Sequence, residues 1–175
     1  MGELRVVALG YDHPDAIRLT GQVQAEYVRR YGGPDESPID AAQFDPPHGV
    51  FLLGYLDGEP VAMAGWRRLR PAEYHAAHVA GVAGPAAEVK RMYVAAQARG
   101  AGFARALLVE LERTAAAAGL DWLLLETGSK QPEAIALYRS SGYSDVPAFG
   151  HYADAELSVH LGKRLAAAGD AMPDR

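Results

Sequence analysis

The chain has no cysteine at any of its 175 positions. That excludes a disulfide framework, a thiolate metal site and a cysteine nucleophile. No apolar run approaches the roughly 18 residues of a membrane span. The N-terminus lacks the basic stretch and apolar core of a secretory signal. A soluble, cytoplasmic protein with no membrane contact is the expectation. Basic charge is also in short supply. Seventeen Lys and Arg stand against 22 Asp and Glu, a formal net charge of −5, whereas a general nucleic-acid binder shows a basic excess. No nucleic-acid partner is expected, and a local basic pocket remains compatible with the total. His75 and His78 form an H-x-x-H without a matching carboxylate motif, so no metal site is expected there or elsewhere.

What is present suits one domain over 1–175 with a proper core: 49% of residues are hydrophobic and 22% charged, ordinary values for a globular chain. The tail from about residue 166 is expected to fray. "LRVVALG" reads as a first strand. Asp12 to Tyr31 reads as a helix, with Pro14 near its start and Gly32-Gly33 after its end. The Pro- and Asp-rich stretch that follows reads as irregular. Asp57-Gly58 between two apolar runs is a hairpin signal. Residues 70–86 read as a loop and "AEVKRMYVA" as the next strand. Ala104, Leu107, Leu108 and Leu111 share one helix face, and Gly119 suits the position just past that helix. "DWLLLET" is a nearly all-apolar strand of the kind covered on both faces. Pro132 suits the first position of another helix, after Gln131. Ala134, Leu137 and Tyr138 share a face of it, and Gly142 closes it. One or two strands follow. The order β, α, β-hairpin, β, α, β, α, β, β predicts an α/β fold with a mixed sheet and helices on both faces.

"QARGAG", Gln97 to Gly102, lies between a strand and a helix. The first N–H groups of a helix lack internal partners, and its dipole favours negative charge there. Glycines let an anion approach the backbone. The turn is not a Walker loop, which needs G-x-x-x-x-G-K-[ST]. It is a poor dinucleotide fingerprint, because Arg105 stands where the third glycine belongs. Taken alone, the loop fits a plain turn and a phosphate cradle about equally.

Two stretches taken together are more specific. "VKRMYVAAQARGAGFARALL" and "LLLETGSKQPEAIALYRSSGY" resemble the acetyl-CoA site of the GCN5-related N-acetyltransferases. Gln97 to Gly102 matches that family's Q/R-x-x-G-x-G/A loop. "QPEAIALYRSSGY" matches its second signature, with Gln131 where Asn is more usual. The resemblance spans about Glu88 to Tyr143. It implies the GNAT fold, an α/β (α+β) arrangement with a mostly antiparallel sheet and splayed central strands. It also implies acetyl-CoA as co-substrate. Backbone groups of Met92, Tyr93 and Val94 would pair with the pantetheine arm. The N–H groups of Ala98, Arg99, Gly100, Ala101, Gly102 and Phe103, with Gln97 and Gln131 beside them, would hold the pyrophosphate. The side chains of Met92 and Val94 read as core.

For chemistry the resemblance marks Tyr138 as the acid that meets the departing thiolate; packing on an apolar face is its plain structural reading. A tyrosine with an ordinary pKa of about 10 stays protonated at neutral pH. The base is open between Glu126 at a strand end, Glu88 in the neighbouring strand, and a chain of waters. Either carboxylate also reads as an ordinary salt-bridge partner. Tyr27, Arg30, Trp66, Lys90 and Tyr152 are acceptor-pocket candidates by the same resemblance, and each also has a surface or core reading. The activity implied is transfer of an acetyl group to a small-molecule primary amine in a ternary complex. A protein N-terminus or lysine is the alternative acceptor, and a non-catalytic acyl-CoA-binding module is the alternative class. A homodimer is compatible with the resemblance.

Overall fold

The computed structural model describes residues 2–75 and 81–166. His78 and the tail from 167 lie outside them. The elements are β1 (Arg5–Ala8), α1 (Pro14–Tyr31), β2 (Gly49–Leu56), β3 (Glu59–Arg68), α2 (Pro71–His75), β4 (Ala86–Val94), α3 (Phe103–Ala117), β5 (Trp122–Gly128), α4 (Pro132–Ser140), β6 (Ser144–Asp145) and β7 (Ser158–Arg164). The strands form one open sheet in the order β1-β2-β3-β4-β5-β7-β6. All pairings are antiparallel except β4–β5.

This is the expected order of elements, with three short additions, one of them a 3-10 turn at Ala96–Ala98. The single turn of α2 falls in the stretch read as a loop, and it is too short to display a helical period. A 3-10 turn, Ala41–Phe44, lies in the segment read as irregular. Asp40 caps it by accepting the Ala42 N–H at 3.0 Å, and Phe44 is buried.

The hairpin turns at Asp57 (φ 51) and Gly58 (φ 86), both left-handed, as a two-residue turn demands. Its strands alternate except at a register shift, where Val61 and Ala62 pack on the same face. Phe51, Leu53, Tyr55 and Met63 pack with Ala16, Leu19 and Val23 of α1. Leu52, Ala62, Ala64 and Trp66 pack on the opposite face with Leu107, Leu108, Leu111 and Ala115 of α3 and Tyr138 of α4. One helix therefore covers one face, and two cover the other.

The parallel register of β4 with β5 runs only from Ala86–Glu88 against Trp122–Leu124, after which the strands part. Beyond that point β4 carries a bulge. Lys90 pairs with Gly65 and Tyr93 with Met63, so Arg91 and Met92 together stand opposite Ala64. Arg91 is left-handed, φ 57. An inserted residue bends its strand and shifts the alternation. Accordingly Val89 and Met92, three residues apart, both pack on the α3 side, while Tyr93 packs with α1.

Leu111 is fully buried at the centre of the α3 face. Leu111→Ala is expected to destabilise the fold by roughly 2–5 kcal/mol, read as a lower urea midpoint with an unchanged slope.

Candidate functional site

A cleft of about 1150 Å³ opens where β4 and β5 part. Three regions line it: the turn into α3, the bare edges of β4 and β5, and a far wall made by Gly32–Ser37 and the β6–β7 connection.

At the first end, Gly100 (φ 79) and Gly102 (φ 82) are left-handed, and a Cβ on either would meet nothing within 4 Å. Glycine is needed for the conformation, and the space above it is open. Ala106 N–H is bonded to Gly102 C=O at 3.0 Å. The amides of Phe103, Ala104 and Arg105 precede it and have no acceptor within the helix. Ala98, Arg99, Gly100, Gly102 and Phe103 line this end. Gln97 is exposed, Ala101 is half-buried, and neither is among the lining residues. Arg99 turns away from the turn. It donates to Val94 C=O at 2.9 Å and pairs with Glu26 at 2.6 Å, fastening β4 to α1. Arg105 does line this end and is tied to Ser140, the last residue of α4, and to Ser141 just past it, at 2.8 and 2.9 Å. In the sequence, Arg105 only argues against a nucleotide fingerprint. Its place one turn into the helix was the available signal. Gln131 also lines the cleft and donates to the Tyr31 hydroxyl at 3.3 Å.

In the middle lie Val89 to Val94, Glu126 and Tyr138. Glu126 Oε1 accepts the Ser158 hydroxyl at 2.7 Å. Burial raises its pKa, opposed by that hydrogen bond and by Lys90. Tyr138 is 5% exposed and stands edge-on to Tyr143. Burial pushes the pKa of its hydroxyl up. Glu88, the rival base, does not line the cleft. It is 3% exposed. Its Oε2 accepts from Arg67 at 3.0 and 2.7 Å, and its Oε1 pairs with Lys90 at 2.9 Å. Both oxygens are held by cations inside the sheet.

At the far end Tyr27, Lys90 and Tyr152 line the cleft. Burial raises Tyr27. Burial first, then the hydrogen bond to Asp35, pushes Tyr152 up to about 12. Two acceptor-pocket candidates fall elsewhere. Trp66 is 2% exposed beneath α3, its indole N–H bonded to the Thr114 hydroxyl at 2.9 Å. Strand alternation put it on the α3 face, and the sequence did not say which face was which. Arg30 is outside the lining, held by Glu26 at 2.8 Å and Glu133 at 2.6 Å. Asp35 and Arg91 line the wall instead. Asp35 gave no signal, because it sits in a stretch without a period. Among the described residues no group of His, Asp and Glu is arranged to hold a metal ion, and no helix is long and apolar enough to cross a membrane.

The arrangement matches known proteins. The acetyltransferase (GNAT) family matches residues 21–143. An "IAA acetyltransferase" of Azospirillum brasilense is 50% identical over 78 residues, 45% of this chain and 51% of that protein. The chain thus spans about half the length of the curated relative it matches. Among solved structures, a Klebsiella pneumoniae protein provisionally described as an acyl-CoA N-acyltransferase superposes with TM-score 0.74 at 27% identity, over 93% of this chain and 98% of that one. The ribosomal-protein-S18-alanine N-acetyltransferase of Escherichia coli shares the fold alone, with TM-score 0.62 at 16% identity over 98% and 100% of the two chains. With its family match covering well over half its length and its β4–β5 cleft in place, this chain belongs to the GNAT family of acetyltransferases.

Proposed function

We propose that the protein transfers an acetyl group from acetyl-CoA to the primary amine of a small molecule, by direct attack in a ternary complex. The observation that carries this is the placing of an open, glycine-lined helix start, a bulged free strand edge, Glu126 and Tyr138 along one cleft. The donor's chemistry fits these residues. Unpaired amides, the α3 dipole and Arg105 suit a pyrophosphate. The edge of β4 beyond Glu88 suits an extended, amide-bearing arm. Acetyl-CoA supplies an acetyl group on a thioester whose sulfur can leave.

The chain's own residues then have two proton tasks. A lysine-like amine, pKa about 10.4, is neutral in only on the order of one molecule in a thousand at pH 7. Glu126 takes the surplus proton, directly or through water. Its raised pKa makes it a better base than an exposed glutamate. The amine nitrogen forms a bond to the carbonyl carbon as the carbon–sulfur bond breaks, and the proton that the acylated nitrogen then sheds passes through water to the departing CoA thiolate, giving the amide and free CoA thiol. Backbone N–H groups at the β4 bulge face the carbonyl oxygen as it gains charge. The Tyr138 hydroxyl donates a hydrogen bond to the sulfur. With its pKa raised, Tyr138 keeps its own proton at every physiological pH, so it acts as a fixed donor. A compact acceptor is favoured because Gly32–Ser37 and Tyr152 wall the far end, where a peptide acceptor needs an open groove.

Thiol release from acetyl-CoA across a panel of amines, amino acids and short peptides tests the function. Release with small amines is expected, and release with peptides alone would overturn the acceptor class. Tyr138→Phe is expected to lower kcat roughly a hundredfold with acetyl-CoA affinity retained.

At position 100, Asn and Asp tolerate the left-handed backbone alike, so their difference isolates charge. Gly100→Asp is expected to bind CoA at least about tenfold more weakly than Gly100→Asn, about 1.4 kcal/mol, by calorimetry.

Glu126 carries a pH signature. Its folded pKa is raised, so the folded protein holds that proton more tightly than the unfolded chain does. The associated stability is present at low pH and lost as pH rises through the folded pKa. Glu126→Gln is therefore expected to melt above wild type at pH 8 and to lose that advantage at pH 4. The same variant is expected to lose the acidic limb of the pH–rate profile.

A further inference from the structure

The far wall of the cleft is organised around one carboxylate. Asp35 Oδ2 pairs with Arg91 Nη1 at 2.6 Å. Its Oδ1 accepts the Ser37 N–H and the Tyr152 hydroxyl, each at 2.8 Å. Its main chain is held by Gln24 of α1, which accepts the Asp35 N–H at 2.8 Å and donates to its C=O at 3.3 Å. The Tyr152 oxygen also accepts the Glu36 N–H at 3.0 Å. Helix α1, the segment after it, and the β6–β7 connection thus meet on one side chain. Despite burial, the hydrogen bonds from Ser37 and Tyr152 and the charge of Arg91 hold Asp35 below the ordinary carboxylate pKa, and it stays ionised.

The partner is unusual. Arg91 is the left-handed residue of the β4 bulge, φ 57, a conformation that an arginine adopts only where its surroundings impose it. Its side chain is 5% exposed, and its Nε is buried without a hydrogen-bond partner. A buried guanidinium in this state depends on its counter-charge. Both Asp35 oxygens are occupied, so Asp35 has little left to offer a substrate directly. It acts on the cleft through Arg91.

We propose that Asp35 is a positioning residue: through Arg91 it holds the β4 bulge, and with it the Met92 backbone groups that face the cleft, in the geometry that acyl transfer needs. This rests on the function proposed above. It makes the acceptor wall and the donor-binding strand one mechanical unit, so that placing the acceptor and aligning the thioester are coupled.

The test is Asp35→Asn, which keeps the shape and the accepting oxygen but removes the charge. Three readouts are compared with wild type. Amide hydrogen exchange is expected to quicken at residues 90–94 and to stay unchanged in α3. CoA affinity is expected to stay within about threefold, because the α3 turn is untouched. The kcat is expected to fall on the order of a hundredfold, the scale of a misaligned reacting group. Asp35→Glu, which keeps the charge, is expected to recover part of that loss. If Asp35→Asn fails to fold, Gln24→Leu loosens the same carboxylate from outside the cleft. It is expected to show the same exchange pattern with a loss on the order of tenfold in kcat. Unchanged exchange at 90–94, or unchanged kcat in a turning-over enzyme, overturns the role of Asp35. A wild type that releases no thiol with any amine overturns the proposed function, and this role falls with it.

Discussion

Beyond Glu88, β4 stops pairing with β5, and the groups proposed to carry the chemistry line the gap. Two β4 residues, Arg91 and Met92, stand opposite one residue of β3. That local surplus bends the strand, and a bent strand leaves its neighbour. The consequence is a cleft whose walls are backbone edges inside an otherwise continuous sheet. Backbone edges are apt walls for a long ligand with amide groups, because they offer donors and acceptors at regular spacing without flexible side chains. The left-handed arginine costs about 1–3 kcal/mol, and the ion pair with Asp35 is the interaction that keeps it in place.

The charges around the cleft fall into two kinds. Glu88 is enclosed by Arg67 and Lys90. Glu26 holds Arg99 and Arg30, and those two guanidiniums pull its pKa down against burial. Asp35 holds Arg91. Each of these carboxylates is paired with cationic side chains and ties two parts of the chain together. Glu126 has a hydroxyl, Ser158, as its hydrogen-bonding partner, and burial wins. A carboxylate that binds its proton more readily is the one suited to take a proton from an amine. The separation of structural carboxylates from a basic one is thus a matter of partners: guanidinium and ammonium groups in one case, a neutral hydroxyl in the other.

The two helices that cap the cleft differ in what they contribute. Helix α3 offers its N-terminal amides, and its apolar face anchors it to β2, β3 and β4. Helix α4 brings Tyr138, and its last turn is tied to the start of α3 through Arg105. The turn proposed to bind the donor and the proposed hydrogen-bond donor to sulfur are therefore held at a fixed separation by one arginine bridging two serines. Arg99 does the same on the other side, joining the turn to α1 through Glu26.

Local order was legible in the sequence because it is local. Asp57-Gly58 specifies its turn, Pro132 starts α4, glycines 100, 102 and 119 mark the ends of α3, and apolar runs on both sides of the turn mark β2 and β3. The glycine turn and the spacing of Tyr138 from Gln131 carried the family resemblance. What periodicity leaves open is which face of the sheet each alternating set occupies. Trp66 and Glu126 both looked equally available, and the packing of α3 buried one while the parting of β4 from β5 opened the other. Glu88 read as a candidate base or a salt-bridge partner, and Arg30 as a pocket or surface residue, until distant residues, Arg67 and Glu133, closed on them. Asp35 lay in an aperiodic segment and gained its place only when Arg91, 56 residues away in sequence, turned left-handed beneath it. Element types and the glycine turn follow from near neighbours along the chain. The partner of each charge, and with it each carboxylate's role, is set by contacts that exist only once the sheet has assembled.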